Sequence, residues 1–488
     1  MRKSIVLAAA LLAATVPAHA QVAAPAAAQT APNPAQVFAR LSDAEIKARV
    51  EAAIAQVTAR PEAVGLSVAV ARGDKIIVER GAGFADLATR RRAGAVTEFR
   101  IGSVTKQFTA AAIMKLVEQG KIRLDDPLAK YLPDFDTGGR TVTIRQLLNH
   151  ASGIPNYTAQ PGFGAIAAKP DLTAQDVLKL VSGAPFDFEP GTGWRYSNTN
   201  YYLLGLIIEK VTGQPYGDFV QNRLFKPLGL TRTRYDSGDA SVADRALGYA
   251  FDPATNARPL ADPLSMTGPF SAGAIASTAG DLLRWQIALT GGRAVSAASF
   301  QQMSGSTVKI GQGDAAYGFG LMVDRIGGMR RIWHNGGING FNSVLTWWPD
   351  LGLRTAVISN SEGLPSEAVE QMIVAALTSD KPLPPARTSP QPGSEAALRT
   401  QILGMASGAP DYAAMTPQMA EVVRGQVAAL KPLFQELGPL KALIFTSVDL
   451  NGVDQYLAQF ANGALLFSIA LDSQGKIGGS WFRPVAKP

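Results

Sequence analysis

The chain has 488 residues, 46 lysines and arginines against 39 aspartates and glutamates, three histidines and no cysteine. That length exceeds one ordinary domain, and the missing cysteines exclude a disulfide framework, thiolate chemistry and a lipid-modified N-terminal cysteine. The positive charges are scattered, with Arg90-Arg91-Arg92 as the longest basic cluster, so a nucleic-acid-binding stripe is not expected.

Residues 1–20 read as a secretory signal peptide: Arg2 and Lys3, an apolar run from Ser4 to Val16, and Ala18-His19-Ala20 as the cleavage site. The apolar run is too short for a permanent anchor. A periplasmic or secreted protein is therefore expected, with no membrane anchor after cleavage. Removing Arg2 and Lys3 leaves 44 basic and 39 acidic residues, and removing His19 leaves only His150 and His334. A histidine-rich metal site is not expected, nor any cofactor.

Residues 21–40 read as a flexible Ala/Pro-rich lead-in. Ser42 with Glu45 is a capping box for a helix reaching about Arg60. Leu66–Ala71 and Ile76–Ala85, joined by Arg72-Gly73-Asp74-Lys75, predict a hairpin. Next comes Phe99-Arg100-Ile101-Gly102-Ser103-Val104-Thr105-Lys106, opening a helix over Gln107–Gln119 that Gly120 stops. Ser103 then sits at a helix start, where unpaired N–H groups and the dipole favour developing negative charge. Lys106 is one turn away, and a desolvated lysine can take a serine's proton. Ser306–Lys309 and Ser473–Lys476 share the S-x-x-K spacing, but only Ser103 has the Gly-Ser turn before it and a buried-type helix behind.

From about 120 to 300 the pattern is short helices and loops: Asp125–Leu132, Thr143–Leu148, Thr173–Val181, Tyr201–Val211 stopped by Gly213, and Ser277–Leu289. Strands resume at Tyr317–Val323, Arg330–Trp333, Gly340–Trp348 and Leu353–Ser359, followed by a packing helix over Glu367–Leu377. Strands at both ends with helices between predict one sheet built from N- and C-terminal segments around an inserted helical lobe. The expected boundaries are a domain over 41–380, a proline-rich linker over 381–394 and a small α+β domain over 395–488 with two helices and a β-meander.

Three polar stations occur in order: Ser103-x-x-Lys106, Tyr196-Ser197-Asn198 and His334-Asn335-Gly336-Gly337. With Leu147-Leu148-Asn149-His150-Ala151-Ser152-Gly153, they make residues 40–380 resemble the serine β-lactamase-like hydrolases. That family holds class C β-lactamases, D-alanyl-D-alanine carboxypeptidases, D-aminopeptidases and esterases. The resemblance implies an α+β fold, an antiparallel sheet flanked by helices with an inserted helical lobe. It implies Ser103 as acyl-forming nucleophile, Lys106 as base and Tyr196 as proton shuttle, a task a phenol can do if nearby ammonium charge favours its ionised form. Asn198, His334 and Gly336 would bind substrate, with the N–H groups of Ser103 and Gly337 as oxyanion hole, one such donor being worth about 3–4 kcal/mol.

Blander roles exist for each residue: Ser103 or Asn198 as a helix cap, Tyr196 as a core aromatic. His150 reads as structural, in a loop beneath the site. His334 suggests a Ser-His-Asp arrangement, but the chain has no G-x-S-x-G elbow. Relatives that act on penicillins and D-Ala-D-Ala termini usually carry Lys-Thr-Gly or Lys-Ser-Gly where His334-Asn335-Gly336 stands, and a histidine is mostly neutral near pH 7. The expected activity is therefore an exported esterase, amidase or D-amino-acid-specific peptidase acting on a small-molecule or peptide substrate. A β-lactamase or peptidoglycan D,D-peptidase, and a non-catalytic peptidoglycan- or peptide-binding protein, are the alternatives. The loops around Tyr157, Phe163 and Phe270 are the expected seat of selectivity.

Overall fold

A computed structural model describes residues 33–238, 244–253, 255–305, 307–311, 313–450 and 452–484. The expected signal peptide, the lead-in as far as residue 32, and Ser306 lie outside the described residues. The chain divides into two compact units between Pro384 and Pro385.

In the first unit, nine strands form one antiparallel sheet from both ends of the sequence. In spatial order they are Arg91–Arg92, Lys75–Asp86, Gly65–Arg72, Leu353–Ser359, Phe341–Trp348, Met329–Ile338, Met322–Ile326, Ala316–Tyr317 and Val308–Lys309. The register pairs Val68 with Val357 and Val344 with Val357, so the middle strands bury both faces. Neighbouring residues of Leu353–Ser359 point to opposite faces. Arg354 accordingly reaches Thr290 in the Ala279–Thr290 helix, and the Thr355 hydroxyl donates to Glu370 in the Ser366–Thr378 helix. The sheet is thus covered on both sides.

The capping box of Ser42 and Glu45 forms as expected and starts the Asp43–Thr58 helix. The lead-in differs from its expectation: Pro34–Arg40 is helical, with Asn33 accepting from the Ala35 N–H and proline in the first turn. Val37 and Phe38 are buried, so the segment is held by packing.

The Thr105–Glu118 helix lies at the centre of the unit, with every residue from Thr105 to Met114 buried. A helix apolar on nearly all sides belongs inside a large core. Phe108 stacks on Trp285 with ring centroids 4.1 Å apart, and the Trp285 indole donates to Gln107. The inserted lobe supplies Ile144–Leu148, Ala174–Leu178 and the Asn198–Thr212 helix, which ends at Gly213 in the left-handed region with φ +69°.

The second unit carries the helices Ser394–Ser407 and Pro417–Leu437 and a four-stranded meander. Its strands run Leu440–Val448, Asp454–Phe460, Ala464–Leu471 and Ile477–Pro484. Phe434 packs among Phe460, Phe467 and Phe482 to close its core.

Candidate active site

Ser103 lies in a single 3₁₀ turn, Gly102–Val104, that feeds directly into the Thr105–Glu118 helix. This turn is fastened to the strand Met329–Ile338 by backbone. A Cβ on Gly102 would come within 2.9 to 3.0 Å of the Gly337 backbone, and Gly102 has φ +48°. A Cβ on Gly336 would collide with the Ile101 carbonyl and come 2.9 Å from the Ser103 amide nitrogen. The Ser343 hydroxyl, from the next strand, donates to the same Ile101 carbonyl at 2.7 Å. Gly336 is therefore buried against the nucleophile turn rather than against substrate, which corrects its expected role. Gly337 is exposed, its Cβ position is open, and it lines the cleft with Ser103.

One helical turn after Ser103, the Lys106 side chain is wholly buried. Its Nζ donates to Asn198 Oδ1 at 2.8 Å and to the Ala272 carbonyl at 2.8 Å, and lies 3.1 Å from Ser103 Oγ. Burial pushes its pKa well below the ordinary lysine value. The contacts suit a neutral amine. Two N–H bonds satisfy two obligate acceptors, and the lone pair is left for the Ser103 hydroxyl proton.

Asn198 is the first residue of the Asn198–Thr212 helix; the cap position belongs to Ser197. Its Nδ2 donates to Thr158 Oγ1 at 3.4 Å, and its backbone N–H donates to Asn156 Oδ1 at 3.1 Å.

Tyr196 lies over Lys106, whose Nζ is 4.8 Å from the ring centre. Its hydroxyl is hydrogen-bonded to Ser103, but removal from water dominates and pushes the phenol pKa up. Burial thus works against the ionised form. The same burial lowers the Lys106 pKa and so weakens the ammonium charge that would favour ionisation, and the phenol favours its protonated form.

His150 sits beneath Tyr196 with ring centroids 4.5 Å apart. Its Nδ1 accepts from the Ser197 N–H at 3.3 Å and faces Asn200 Nδ2 at 3.1 Å, so the proton is on Nε2. Burial pushes its pKa well below the ordinary value, in keeping with a structural ring.

His334 does not reach the cleft. It is wholly buried, with Nε2 accepting from the Tyr317 hydroxyl at 2.8 Å and Nδ1 donating to the Asn335 carbonyl at 2.5 Å. Burial lowers its pKa to about 3. The substrate-binding role expected for its side chain is corrected, because both ring nitrogens are already used inside the protein. Asn335 points elsewhere and donates to Glu367.

The cleft in front of Ser103 has a volume of about 270 Å³. Tyr157, Phe163, Leu264, Pro269 and Ile338 supply apolar walls, and Thr158, Asn198 and Asn339 supply polar groups. Phe270 is not among the lining residues; its ring packs on Tyr202 and Tyr216. Thr158, Asn156, Tyr317 and the Ala272 carbonyl were missed from sequence. Thr158 adjoins Tyr157, which gave the only nearby signal, and a carbonyl ligand leaves no mark in a sequence. Of the competing S-x-x-K matches, Lys309 lies in a short edge strand and Ser473–Lys476 turns between strands of the second unit. Among the described residues no group of three or more His, Asp or Glu is placed to hold a metal ion.

A family model described as Beta-lactamase matches residues 50–379. The chain belongs to the β-lactamase family. It is 33% identical to Penicillin-binding protein 4* of Bacillus subtilis (strain 168), over 61% of this chain and 68% of that protein. It is 31% identical to a D-aminopeptidase of Brucella canis, over 67% of this chain and 62% of that one. The structure of a D-stereospecific amidohydrolase from Streptomyces sp. superposes with a TM-score of 0.57 at 31% identity, covering 69% of this chain and 98% of that one. The β-lactamase-family fold and the serine hydrolase class are thus those expected from the three stations.

Proposed function

We propose that this serine hydrolase cleaves esters, and amides or short peptides of D-amino acids, through an acyl-enzyme on Ser103, and that it does so after export to the periplasm or beyond. The observation that carries the reading is the Lys106 amine, desolvated, held by Asn198 and Ala272, and 3.1 Å from Ser103 Oγ. As Oγ attacks the carbonyl carbon, Lys106 takes its proton. The N–H groups of Ser103 and Gly337 receive the oxyanion, and the protonated phenol of Tyr196 gives its proton to the leaving nitrogen or oxygen. The proton on Lys106 restores the phenol, and the same groups work in reverse when water attacks the acyl-enzyme.

Among the described residues lining the cleft there is no lysine or arginine. A carboxylate beside the scissile bond would lose water without gaining a cation, which disfavours penicillins and D-Ala-terminated peptides relative to neutral amides and esters. The names of the D-aminopeptidase and D-stereospecific amidohydrolase relatives support D-configured substrates.

The test compares D- and L-amino acid amides and p-nitrophenyl esters with nitrocefin and a D-Ala-D-Ala peptide. Turnover of the neutral substrates should exceed that of the other two, D-amides should exceed L-amides, and mass spectrometry should place the acyl group on Ser103. Ser103→Ala should lose about 10³-fold or more in kcat while remaining folded. Near-native turnover in Ser103→Ala, or better turnover of nitrocefin or D-Ala-D-Ala, would overturn the reading.

A further inference from the structure

The rings around Lys106 supply something its hydrogen bonds do not. Asn198 and Tyr201 stand three residues apart on the Asn198–Thr212 helix, so one helical face carries both toward the lysine. Lys106 Nζ donates to Asn198 Oδ1 at 2.8 Å and lies 5.5 Å from the centre of the Tyr201 ring. Tyr196, from the segment before that helix, puts its ring centre 4.8 Å from the same nitrogen. Both distances fall within the roughly 6 Å over which a cation is attracted to an aromatic face. Tyr201 is wholly buried, and its hydroxyl donates to the Leu148 carbonyl at 2.7 Å, which fixes the ring at its far end. Burial pushes its phenol pKa up, so the ring stays neutral.

The proton taken from serine has to be held as charge. When Ser103 Oγ attacks, its O–H bond breaks and the proton bonds to the Lys106 lone pair, making an ammonium at a wholly buried position. Among the described residues no carboxylate pairs with Lys106, and burial is the cause of its lowered pKa. The titratable groups around it are Tyr196, Tyr201, His150, His334 and, packed on both histidines, Tyr317. Burial lowers the pKa of the two histidines and raises those of the three tyrosines, so none of them supplies a countercharge. The ammonium therefore rests on the Asn198 and Ala272 oxygens and on two rings. Tyr196 also serves the leaving group, whereas the Tyr201 hydroxyl is turned to Leu148 and its ring alone meets the lysine.

We infer that Tyr201 is a positioning residue for the base: its ring holds and stabilises the Lys106 ammonium that forms as Ser103 loses its proton. This rests on Lys106 being the base of Ser103. A carboxylate in that place would keep the lysine charged at rest. A ring attracts the ammonium more weakly and leaves the resting lone pair available.

The test grades the ring's attraction for a cation with little change of shape. Tyr201→Phe is the reference, and replacing Tyr201 by phenylalanines with one, two and three ring fluorines withdraws electron density from the face stepwise. The readout is the second-order rate of fluorophosphonate labelling at Ser103 from pH 4 to 10. From Tyr201→Phe to the trifluorinated ring, the rate above the acid limb should fall about three- to tenfold, in order of fluorine number. A less stable ammonium means a lower Lys106 pKa, so an acid limb inside this range should move down by up to about one pH unit. The same series at Tyr202, whose ring packs on Tyr157 and Phe270 instead, should show no such order. Should Tyr201→Phe fail to fold, tyrosines carrying the same fluorines keep the Leu148 hydrogen bond and read the same order. Rates at position 201 that are flat, unordered or matched by those at 202, with labelling abolished in Lys106→Met, would overturn the role of Tyr201 alone. Labelling at the native rate in Lys106→Met would overturn the base reading and this inference together.

Discussion

Asn198→Asp puts the base hypothesis under direct strain. The change is isosteric and leaves an oxygen 2.8 Å from Lys106 Nζ, now carrying negative charge. The second oxygen replaces an amide that donated to Thr158, whose hydroxyl can turn and donate instead. An opposite charge within about 4–6 Å favours the charged form by roughly 1–3 pKa units, each worth about 1.4 kcal/mol. Burial lowers the Lys106 pKa in the native site, so the free amine is present above that low pKa. The introduced carboxylate stabilises the ammonium, so the pH at which the base becomes available moves upward. The acid limb should move up by about 1–3 pH units, so at a pH on the native acid limb acylation should fall by about 10- to 1000-fold and recover as pH rises. The assay is the second-order rate of fluorophosphonate labelling at Ser103 from pH 4 to 10. Asn198→Ala provides the contrast: it leaves one buried Lys106 N–H unsatisfied, costs about 1–3 kcal/mol, and should not move the acid limb upward. Asn198→Asp giving the native profile, or a loss of equal size at every pH, would refute Lys106 as the base.

Three further outcomes follow from the geometry. Gly336→Ala should destabilise the first unit by about 1–3 kcal/mol in urea denaturation and slow labelling at Ser103, because its Cβ meets the Ile101 carbonyl and the Ser103 amide nitrogen. His334→Lys should not create selectivity for carboxylates: it places an ammonium at a wholly buried position and should cost about 3 kcal/mol or more of stability, with the penicillin-to-ester ratio unchanged. The native imidazole titrates at about 3 when folded and about 6.5 when unfolded, so the unfolded chain binds more protons between those values and stability falls as pH drops through that window. Denaturation midpoints at pH 6, 5 and 4 should show that His334→Gln removes about 1.4 kcal/mol per pH unit from this slope.

Local signals in the sequence were read well where one segment's chemistry determines its shape. Ser42 with Glu45, the turn at Gly73 and Asp74, and Gly213 after a helix are such cases. The sequence pattern predicts that the long strand ends at Trp333, because Asn335-Gly336-Gly337 has the composition of a turn. In the structure the strand continues to Ile338, and Gly336 is there because the Ile101–Ser103 backbone crosses it. The sequence pattern predicts one strand over Tyr317–Val323, yet the segment divides into Ala316–Tyr317 and Met322–Ile326. Gly320, at φ +70°, makes the bend, and its Cβ position would lie 2.7 Å from the Lys106 carbonyl. Both errors have one cause: a glycine selected by a neighbour hundreds of positions away looks the same as a glycine selected by its own turn. The polar stations themselves were legible in order, whereas the inward rotation of His334 depends on Tyr317, a partner 17 positions earlier.

The contact between the Gly102–Val104 turn and the Met329–Ile338 strand has a consequence for how such an enzyme can diversify. The spacing between Ser103 and Gly337 is fixed by main chain meeting main chain, with a serine hydroxyl from the neighbouring strand as a clasp. Residues that shape the cleft, such as Thr158 in the Tyr157–Ala159 3₁₀ turn, Phe163 at the start of the short Phe163–Ile166 helix and Leu264 in a loop, stand on separate segments and do not form that clasp. Replacing them changes what fits without moving the reacting atoms. The reactive frame and the fitting surface are thus separable parts, and a new substrate range is open to mutation in these cleft-lining segments while the frame is inherited intact.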